Sequence, residues 1–165
     1  GTFRRASERP CDRASPRSLQ SLVASPVAFR SAGVEDVDAI LTLWQLGGID
    51  HDEVGDRFEI VTKLDYDADL FVVAARDDKV VASVMGTYDG HRGRIKRCVV
   101  DPAEQRSGVG RQVVAELERR FIARGITELR LEVWADNTGA QTFWSTMGWE
   151  HLEDIRYYTR SLRTD

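Results

Sequence analysis

Two glycines lie between an apolar run and a long amphipathic segment in the stretch VVDPAEQRSGVGRQVVAELERRF, residues 99–121. Gly108 and Gly110 permit a backbone with positive φ and a close approach of another molecule, because neither carries a side chain. If a helix begins here, the N–H groups of residues 106–110 lie in its first turn, where they lack intrahelical acceptors. Those donors and the helix dipole favour a bound anion, best a phosphate or pyrophosphate. A turn that binds nothing is equally consistent with the glycines alone.

Basic side chains accompany this turn. Four cations fall within six residues shortly before it, in the segment RGRIKR: Arg92, Arg94, Lys96 and Arg97. Such a run is usually a solvated face, and beside a phosphate-binding turn it would also form a collar for a polyanionic ligand. Arg106 and Arg111, within the turn itself, would add side-chain donors.

Other nucleotide-binding signatures fit this stretch less well. The P-loop pattern G-x-x-x-x-G-K-[ST] is absent from the sequence. The dinucleotide-binding pattern G-x-G-x-x-G requires a third glycine where this chain has Val113.

The elements that would position the turn alternate between strands and helices from about residue 27. Apolar runs predict strands in VAFRSA, in both arms of LFVVAARDDKVVASVMGTYDG, in GRIKRCVV, in ELRLEVW and, once or twice, in WEHLEDIRYYTRSL. Apolar residues at helical spacing predict helices in VEDVDAILTLWQLG, in DRFEIVTKLD, from Val109 to Gly125, and in NTGAQTFWSTMG. Asp77-Asp78 joins two of the strands as a hairpin. This order predicts a mixed α/β sheet with helices on its faces.

The composition is that of one soluble globular domain. The 165 residues are 42% hydrophobic and 30% charged, with a net charge of −4. Residues 1–26 carry a net +3, so residues 27–165 carry −7; we interpret the first segment as a flexible basic extension and the second as the functional domain. The acidic domain disfavours nucleic-acid binding, because that affinity depends on neutralising phosphates.

Cysteine and histidine usage points to neither a disulfide framework nor a metal site. Cys11 and Cys98 lie in different regions, and the three histidines have no ligand-like spacing. No apolar run approaches the roughly 20 residues needed to span a membrane. A cytoplasmic location is the default expectation, and a homodimer is compatible with the sequence.

Two motifs together resemble those of the GNAT N-acetyltransferases. QRSGVG, residues 105–110, resembles the family's Q/R-x-x-G-x-G/A signature, and it follows Val100-Asp101-Pro102 as the family's V-x-P does. Asn137 to Trp149, in the pattern N-x-x-A-x-x-F-W-x-x-x-G-W, resembles the second motif. VMGTYDGHRG, residues 84–93, further resembles the bacterial YpeA-type branch. The resemblance covers about residues 27–163.

The resemblance implies a fold and a cosubstrate. The implied fold is a mostly antiparallel sheet, splayed at the cofactor site, with helices on both faces. Acetyl-CoA would be the donor, an amine the acceptor, and no metal would take part. The pantetheine arm would pair with the backbone of Cys98, Val99 and Val100, and an N–H near Val99 would polarise the thioester carbonyl. The implied contacts of the rest of the cofactor are Gln105, Arg106, Ser107, Gly108, Val109, Gly110, Arg111, Asn137 and Trp144.

Proton transfer is the less defined part of the implied mechanism. Glu132 matches the glutamate assigned as base in the ribosomal-protein N-acetyltransferase branch, and a strand carboxylate paired with an arginine is the alternative interpretation. The histone-acetylating branch uses another glutamate, and Arg94 stands at that position here. Asp89 and His91 are secondary candidates for the base. Where the family often has a tyrosine acid, this chain has Trp144, whose indole is not a useful acid; Tyr88, Tyr157 or Tyr158 would have to substitute.

Two functions remain open at the level of sequence. The first is an N-acetyltransferase that acts on a small amine, a lysine or a peptide N-terminus. The second is an acyl-CoA-binding or sensing domain with little or no turnover, motivated by the missing tyrosine and by Arg94.

Overall fold

The computed structural model describes residues 24–49 and 52–163. Most of the basic extension predicted for residues 1–26 therefore lies outside the described residues. These described residues form five strands and four α-helices, in chain order β1 (Ala28–Ser31), α1 (Val37–Leu46), α2 (Glu53–Asp67), β2 (Phe71–Arg76), β3 (Lys79–Tyr88), β4 (Gly93–Val100), α3 (Val109–Ala123), β5 (Leu129–Arg130) and α4 (Thr138–Thr146). None of the described helices is long and apolar enough to cross a membrane.

The strands form one sheet in the order β1-β2-β3-β4-β5. The pairs from β1 to β4 are antiparallel, and β5 joins β4 in parallel over two residues. This mixed, mostly antiparallel sheet confirms the predicted fold class. Each face is buried under helices, because the strands alternate their apolar side chains between two cores.

The two cores contain different helices. One core contains Val72 and Val84 of the strands together with Leu117 and Phe121 of α3. The other contains Phe71, Val73 and Met85 with Ile40 and Trp44 of α1 and Ile60 of α2. Partly buried side chains of α4 pack against the first core, so that α3 and α4 share one face of the sheet.

The β2–β3 hairpin matches its prediction. Asp77 and Asp78 both have positive φ, 48° and 62°. Two successive left-handed residues form the tight turn whose twist suits a hairpin, and aspartate tolerates that conformation better than most residues.

Three predictions of secondary structure were wrong. The second helix is longer than DRFEIVTKLD, since α2 begins at Glu53. The strand predicted for ELRLEVW is reduced to Leu129–Arg130, because residues 131–134 have no ladder partner on β4. Residues 150–163, predicted as one or two strands, have neither helix nor strand and are exposed. Charged side chains interrupt the apolar alternation there, so no continuous apolar face is available for burial.

Candidate functional site

The glycine turn forms an open cradle at the start of α3. Arg106 has φ 66° and Gly108, the residue that caps α3, has φ 87°. A Cβ atom at Gly108 would meet no atom within 4 Å, so the space in front of this residue is open. Among the described residues, no acceptor bonds the backbone N–H groups of Gly108, Gly110 and Arg111. The N–H of Ser107 bonds the carbonyl of Glu104 at 3.3 Å.

Gly110 has a packing role that Gly108 lacks. A Cβ at this buried position would approach Val100 Cγ2 at 3.1 Å and the ring of Phe143 at 3.4 Å. Its missing side chain therefore lets the start of α3 lie against the end of β4 and against α4. Arg111 adds long hydrogen bonds to Thr146 at the end of α4, at 3.3 and 3.4 Å.

A buried aspartate fixes the entry into the cradle. Asp101 accepts hydrogen bonds from the N–H of Ala103 at 2.9 Å and from Lys79 Nζ at 2.9 Å. These contacts, that with Lys79 first, lower the pKa of the Asp101 carboxyl. The carboxylate is thus ionised at neutral pH and holds the chain between β4 and α3. Gln105, which follows the short 3₁₀ turn at Pro102–Glu104, is exposed.

The sheet is splayed beside the cradle. β5 pairs with β4 only at Gly93 and Arg94, so the rest of β4, from Ile95 to Val100, has an open edge toward residues 131–134. This opening is the splay that was predicted from the resemblance, and it lies next to the start of α3.

The direction of the backbone groups on this edge follows from the ladder with β3. The N–H of Asp101 bonds Val81 O at 2.8 Å, and Val99 is opposite Ser83. Backbone groups alternate between the two sides of a strand, so Val99 directs its N–H toward β3. Cys98 and Val100 direct theirs to the open edge.

A β-bulge interrupts β4 just before these residues. Ser83 is opposite Val99, but Met85 is opposite Lys96, so β4 contains one residue more than β3 across this step. Arg97, inside the step, has φ 52°. The sequence gives no indication of the bulge, because the left-handed position of such a bulge is typically glycine.

Glu132 is paired with Arg94. Arg94 Nε and one terminal nitrogen both lie 2.8 Å from Glu132 Oε2, and both side chains are about 40% exposed. The other carboxylate oxygen, Oε1, makes no hydrogen bond with any residue that the structure describes. The arginine pairing that was weighed for Glu132 is therefore present, and it engages only Oε2.

The secondary candidates for the base form a turn. Asp89 accepts from the N–H groups of Arg92 and His91 at 2.8 and 2.9 Å, and Arg130 reaches its other oxygen at 3.1 Å. These bonds, that of Arg92 first, lower the pKa of Asp89. A carboxylate of lowered pKa is a weaker base, and His91 is an exposed residue of the same turn.

The second motif forms α4. Asn137 caps this helix, with its side-chain oxygen accepting from the N–H of Ala140 at 3.0 Å. Trp144 is 8% exposed and packs edge-to-face against Phe143 and Trp149, with ring centroids 5.0 and 5.3 Å apart. Its contact with the cofactor stays a prediction, and its packing role is evident.

The tyrosines weighed as acids are exposed. Tyr88 ends β3, and Tyr157 and Tyr158 lie in the segment after α4 that has no regular structure. The structure does not bring any of the three into hydrogen-bond contact with Glu132 within the described part of the chain.

Ion pairs engage three of the four cations of RGRIKR. Besides the Arg94 pair, Lys96 contacts Glu59 of α2, and Arg97 contacts Glu59 and Asp56. The carboxylates of α2 come from far along the chain, so the sequence run did not reveal this pairing. The segment is a set of structural ion pairs more than a free cationic collar.

The surroundings of Cys98 disfavour a reactive thiolate. Burial raises its pKa to about 12, so the thiol stays protonated at neutral pH. Among the residues that the structure describes, no group of three or more His, Cys, Asp or Glu side chains could hold a metal ion.

Comparisons with known proteins agree with this geometry. Residues 37–149 match the family model of the acetyltransferase (GNAT) family. An acetyltransferase of Pectobacterium atrosepticum is 33% identical over 121 residues, 73% of this chain and 86% of that protein. One of Sodalis glossinidius is 30% identical over 131 residues, 79% of this chain and 92% of that protein.

Solved structures share the fold. The PaiA N-acetyltransferase of Thermoplasma acidophilum, in complex with coenzyme A, superposes with a TM-score of 0.70 at 17% identity, over 79% of this chain and 93% of that one. The ribosomal-protein-S18-alanine N-acetyltransferase of Escherichia coli gives a TM-score of 0.67 at 19% identity, over 83% of this chain and 86% of that one.

Proposed function

The chain belongs to the acetyltransferase (GNAT) family, and from that premise we propose that it transfers the acetyl group of acetyl-CoA directly to a primary amine. The observation that carries the proposal is the juxtaposition of two backbone features. The N–H groups of Gly108, Gly110 and Arg111, which have no acceptor in the described part of the chain, lie at the start of α3, and the open edge of β4 adjoins them.

The cradle suits the pyrophosphate of the cofactor. Helix-start N–H groups and the helix dipole attract a phosphate, and the open space at Gly108 admits it. Arg106 and Arg111 lie on the same turn and would add cationic donors. The exposed side chains of Gln105 and Ser107 would border the phosphates, while buried Val109 would anchor the helix beneath them.

The pantetheine arm would pair with the open edge of β4. Cys98 and Val100 present their backbone groups to that edge, so an amide-containing arm finds donors and acceptors there. Because Val99 directs its N–H toward β3, the donor to the thioester carbonyl is assigned to Cys98. A fixed backbone donor at this oxygen stabilises the charge that develops in the transition state.

Glu132 is the proposed base. A primary amine has a pKa near 10.4, so freeing its lone pair at pH 7 costs about 4.6 kcal/mol. Oε1 of Glu132 is available to accept that proton, while Arg94 orients the carboxylate through Oε2.

Substituting Glu132 tests this role. Glu132→Gln keeps the shape and removes the proton acceptor, so kcat should fall about 10²–10⁴-fold. The Kd of acetyl-CoA should barely change, because the carboxylate serves the amine. Arg119→Gln, which breaks an exposed ion pair on α3, is the control. Wild-type turnover of Glu132→Gln from pH 6 to 9 would move the base elsewhere, to bound water or to the Asp89 turn.

The surroundings of the thiol and the indole support direct transfer. The raised pKa of the Cys98 thiol disfavours an acetyl-enzyme on this residue. Buried Trp144 cannot protonate the leaving group, and a thiolate with a pKa near 8.5, by analogy with cysteine, can leave without a dedicated acid.

A second candidate function is an acyl-CoA-binding domain with little turnover. The observation that favours it is the engagement of Glu132 by Arg94, together with the missing tyrosine. Thiol release from acetyl-CoA in the presence of small amines, lysine peptides and free peptide N-termini separates the two functions. Release that depends on an amine supports transfer and identifies the acceptor class; CoA binding with no release from any acceptor supports the binding domain.

A further inference from the structure

Arg97 has a backbone conformation that its side chain does not favour. Its φ of 52° is left-handed, and it lies within β4 at the bulge. An L-residue other than glycine, asparagine or aspartate is strained there, and such strain persists only where the surroundings impose it.

Three side chains surround the guanidinium of Arg97. Its Nε and one terminal nitrogen lie 3.1 and 2.9 Å from Glu59 Oε2, and that terminal nitrogen lies 2.8 Å from Asp56 Oδ1. Its central carbon lies 4.5 Å from the centroid of the Trp44 ring. We call this arrangement, Trp44, Asp56 and Glu59 around Arg97, the clasp.

The clasp is attached to buried parts of the fold. Trp44 is fully buried, and its indole N–H bonds Ser83 Oγ at 3.1 Å on the neighbouring strand. Asp56 is 3% exposed, so its contact with the guanidinium is shielded from water. Burial alone would raise the pKa of Glu59, but Lys96 and Arg97 bring it below its usual value, which keeps Glu59 ionised. The guanidinium is therefore held from α1 and α2 at once.

The clasp lies next to the backbone donor proposed for the thioester carbonyl, the N–H of Cys98. Arg97 immediately precedes Cys98, so its φ and ψ set the direction of the Cys98 N–H. That N–H is the group assigned to the thioester carbonyl above.

We propose that Arg97 is a positioning residue, whose contacts in the clasp hold the β4 bulge left-handed and so aim the Cys98 N–H at the open edge of β4. The inference rests on the proposed function for its effect on catalysis. Its structural part, that the clasp holds the bulge, can be measured without turnover.

Two substitutions at position 97 separate the backbone from the side chain. Arg97→Ala removes the clasp and keeps the left-handed penalty, so kcat should fall about tenfold. Arg97→Gly also removes the clasp, but glycine adopts positive φ freely, so kcat should return to within about threefold of the wild type. The Kd of CoA should stay within about twofold in both variants, because the cradle at α3 is unchanged.

Amide hydrogen exchange provides the readout that does not need turnover. The peptide covering residues 94–101 should exchange faster in Arg97→Ala than in the wild type. In Arg97→Gly it should exchange at an intermediate rate. Arg119→Gln, which breaks an exposed pair remote from β4, should change neither the exchange nor kcat.

A double substitution tests whether Glu59 acts through the bulge. Glu59→Gln weakens the clasp and should lower kcat about three- to tenfold in the wild-type background. In the Arg97→Gly background it should have no further effect, because the backbone no longer depends on the clasp. An effect of equal size in both backgrounds would show that Glu59 acts through Lys96 or on the substrate, and would overturn the proposal.

The remaining outcomes are also decisive. Wild-type kcat and exchange in Arg97→Ala, or a Gly variant as slow as the Ala variant, would overturn the positioning role. If the wild-type protein binds acetyl-CoA but acetylates no amine, the proposed function fails. The exchange rates then still support the clasp if Arg97→Ala is faster than the wild type, and refute it if the two are equal.

Discussion

Gly108 and Gly125 allow the phosphate cradle to be tested with a matched control. Both glycines have positive φ, 87° and 75°, and a Cβ at either would meet no atom within 4 Å. They lie at opposite ends of α3, whose 15 residues span about 22 Å. Valine at either position should therefore destabilise the fold similarly, by about 1–2 kcal/mol or somewhat more, because an L-residue is strained in the left-handed region.

Only the substitution at Gly108 should affect CoA. The valine side chain would occupy the open space in front of the cradle and keep the phosphates from at least two N–H donors. Hydrogen bonds to charged groups contribute about 1.5–3 kcal/mol each, so the loss is about 3–6 kcal/mol. This corresponds to roughly a 10²–10⁴-fold weaker Kd.

Calorimetric titration and thermal unfolding with CoA measure the difference. At a CoA concentration a hundredfold above the wild-type Kd, binding should raise the unfolding free energy of the wild type and of Gly125→Val by about 2.7 kcal/mol. For Gly108→Val the increase should be about 0.4 kcal/mol or less. If Gly108→Val binds CoA as tightly as Gly125→Val does, the turn is only structural and the cradle assignment is refuted.

Three further predictions concern acid stability, the indole and the basic segment. Arg119 and, to a smaller extent, Arg120 lower the pKa of Glu116 from 4.5 to about 2. These ion pairs therefore stabilise the fold above pH 4.5 and lose their effect as the pH falls toward 2; urea titrations should show a smaller loss over that range for Glu116→Gln. Trp144→Tyr should lower the melting temperature, because it removes buried ring volume, and leave kcat unchanged; a higher kcat would show that thiolate departure limits the rate. Deleting residues 1–26 should leave kcat and the KM of acetyl-CoA unchanged in steady-state assays, and a large loss of activity in a folded truncation would assign the segment to the site.

The sequence alone predicted the structure correctly where the type of one residue determines the local backbone conformation. Gly108 has the left-handed conformation that its place before a helix predicts, and Asp77-Asp78 forms the expected turn. Asn137 caps α4 as an asparagine before a helix should. In each case the competing conformations are local, so the residue type alone decides between them.

The sequence alone did not predict backbone conformation or strand length where contacts with distant segments determine them. Arg97 is left-handed although neither glycine nor asparagine marks the position. Its partners come from distant segments: Asp56 and Glu59 of α2, 41 and 38 residues earlier in the chain, and Trp44 of α1. The strand predicted for ELRLEVW was too long for a similar reason. Its β-forming side chains are suitable, but a strand also needs a neighbouring strand to pair with, and β4 pairs with this segment only at Gly93 and Arg94.

The basic segment RGRIKR shows why contacts between distant segments matter for function. Counted along the chain, RGRIKR is a cationic cluster that would attract a polyanion by itself. In the fold, carboxylates of α2 and of the segment after β5 neutralise Arg94, Lys96 and Arg97, so these cations contribute little attraction at a distance. Under the proposed function, the attraction for the phosphates of the cofactor would then fall to the N–H groups of the cradle and to Arg106 and Arg111. Affinity and chemistry would therefore have separate sources: the helix start would bind the cofactor, and the ion pairs around β4 would shape the edge where its thioester reacts.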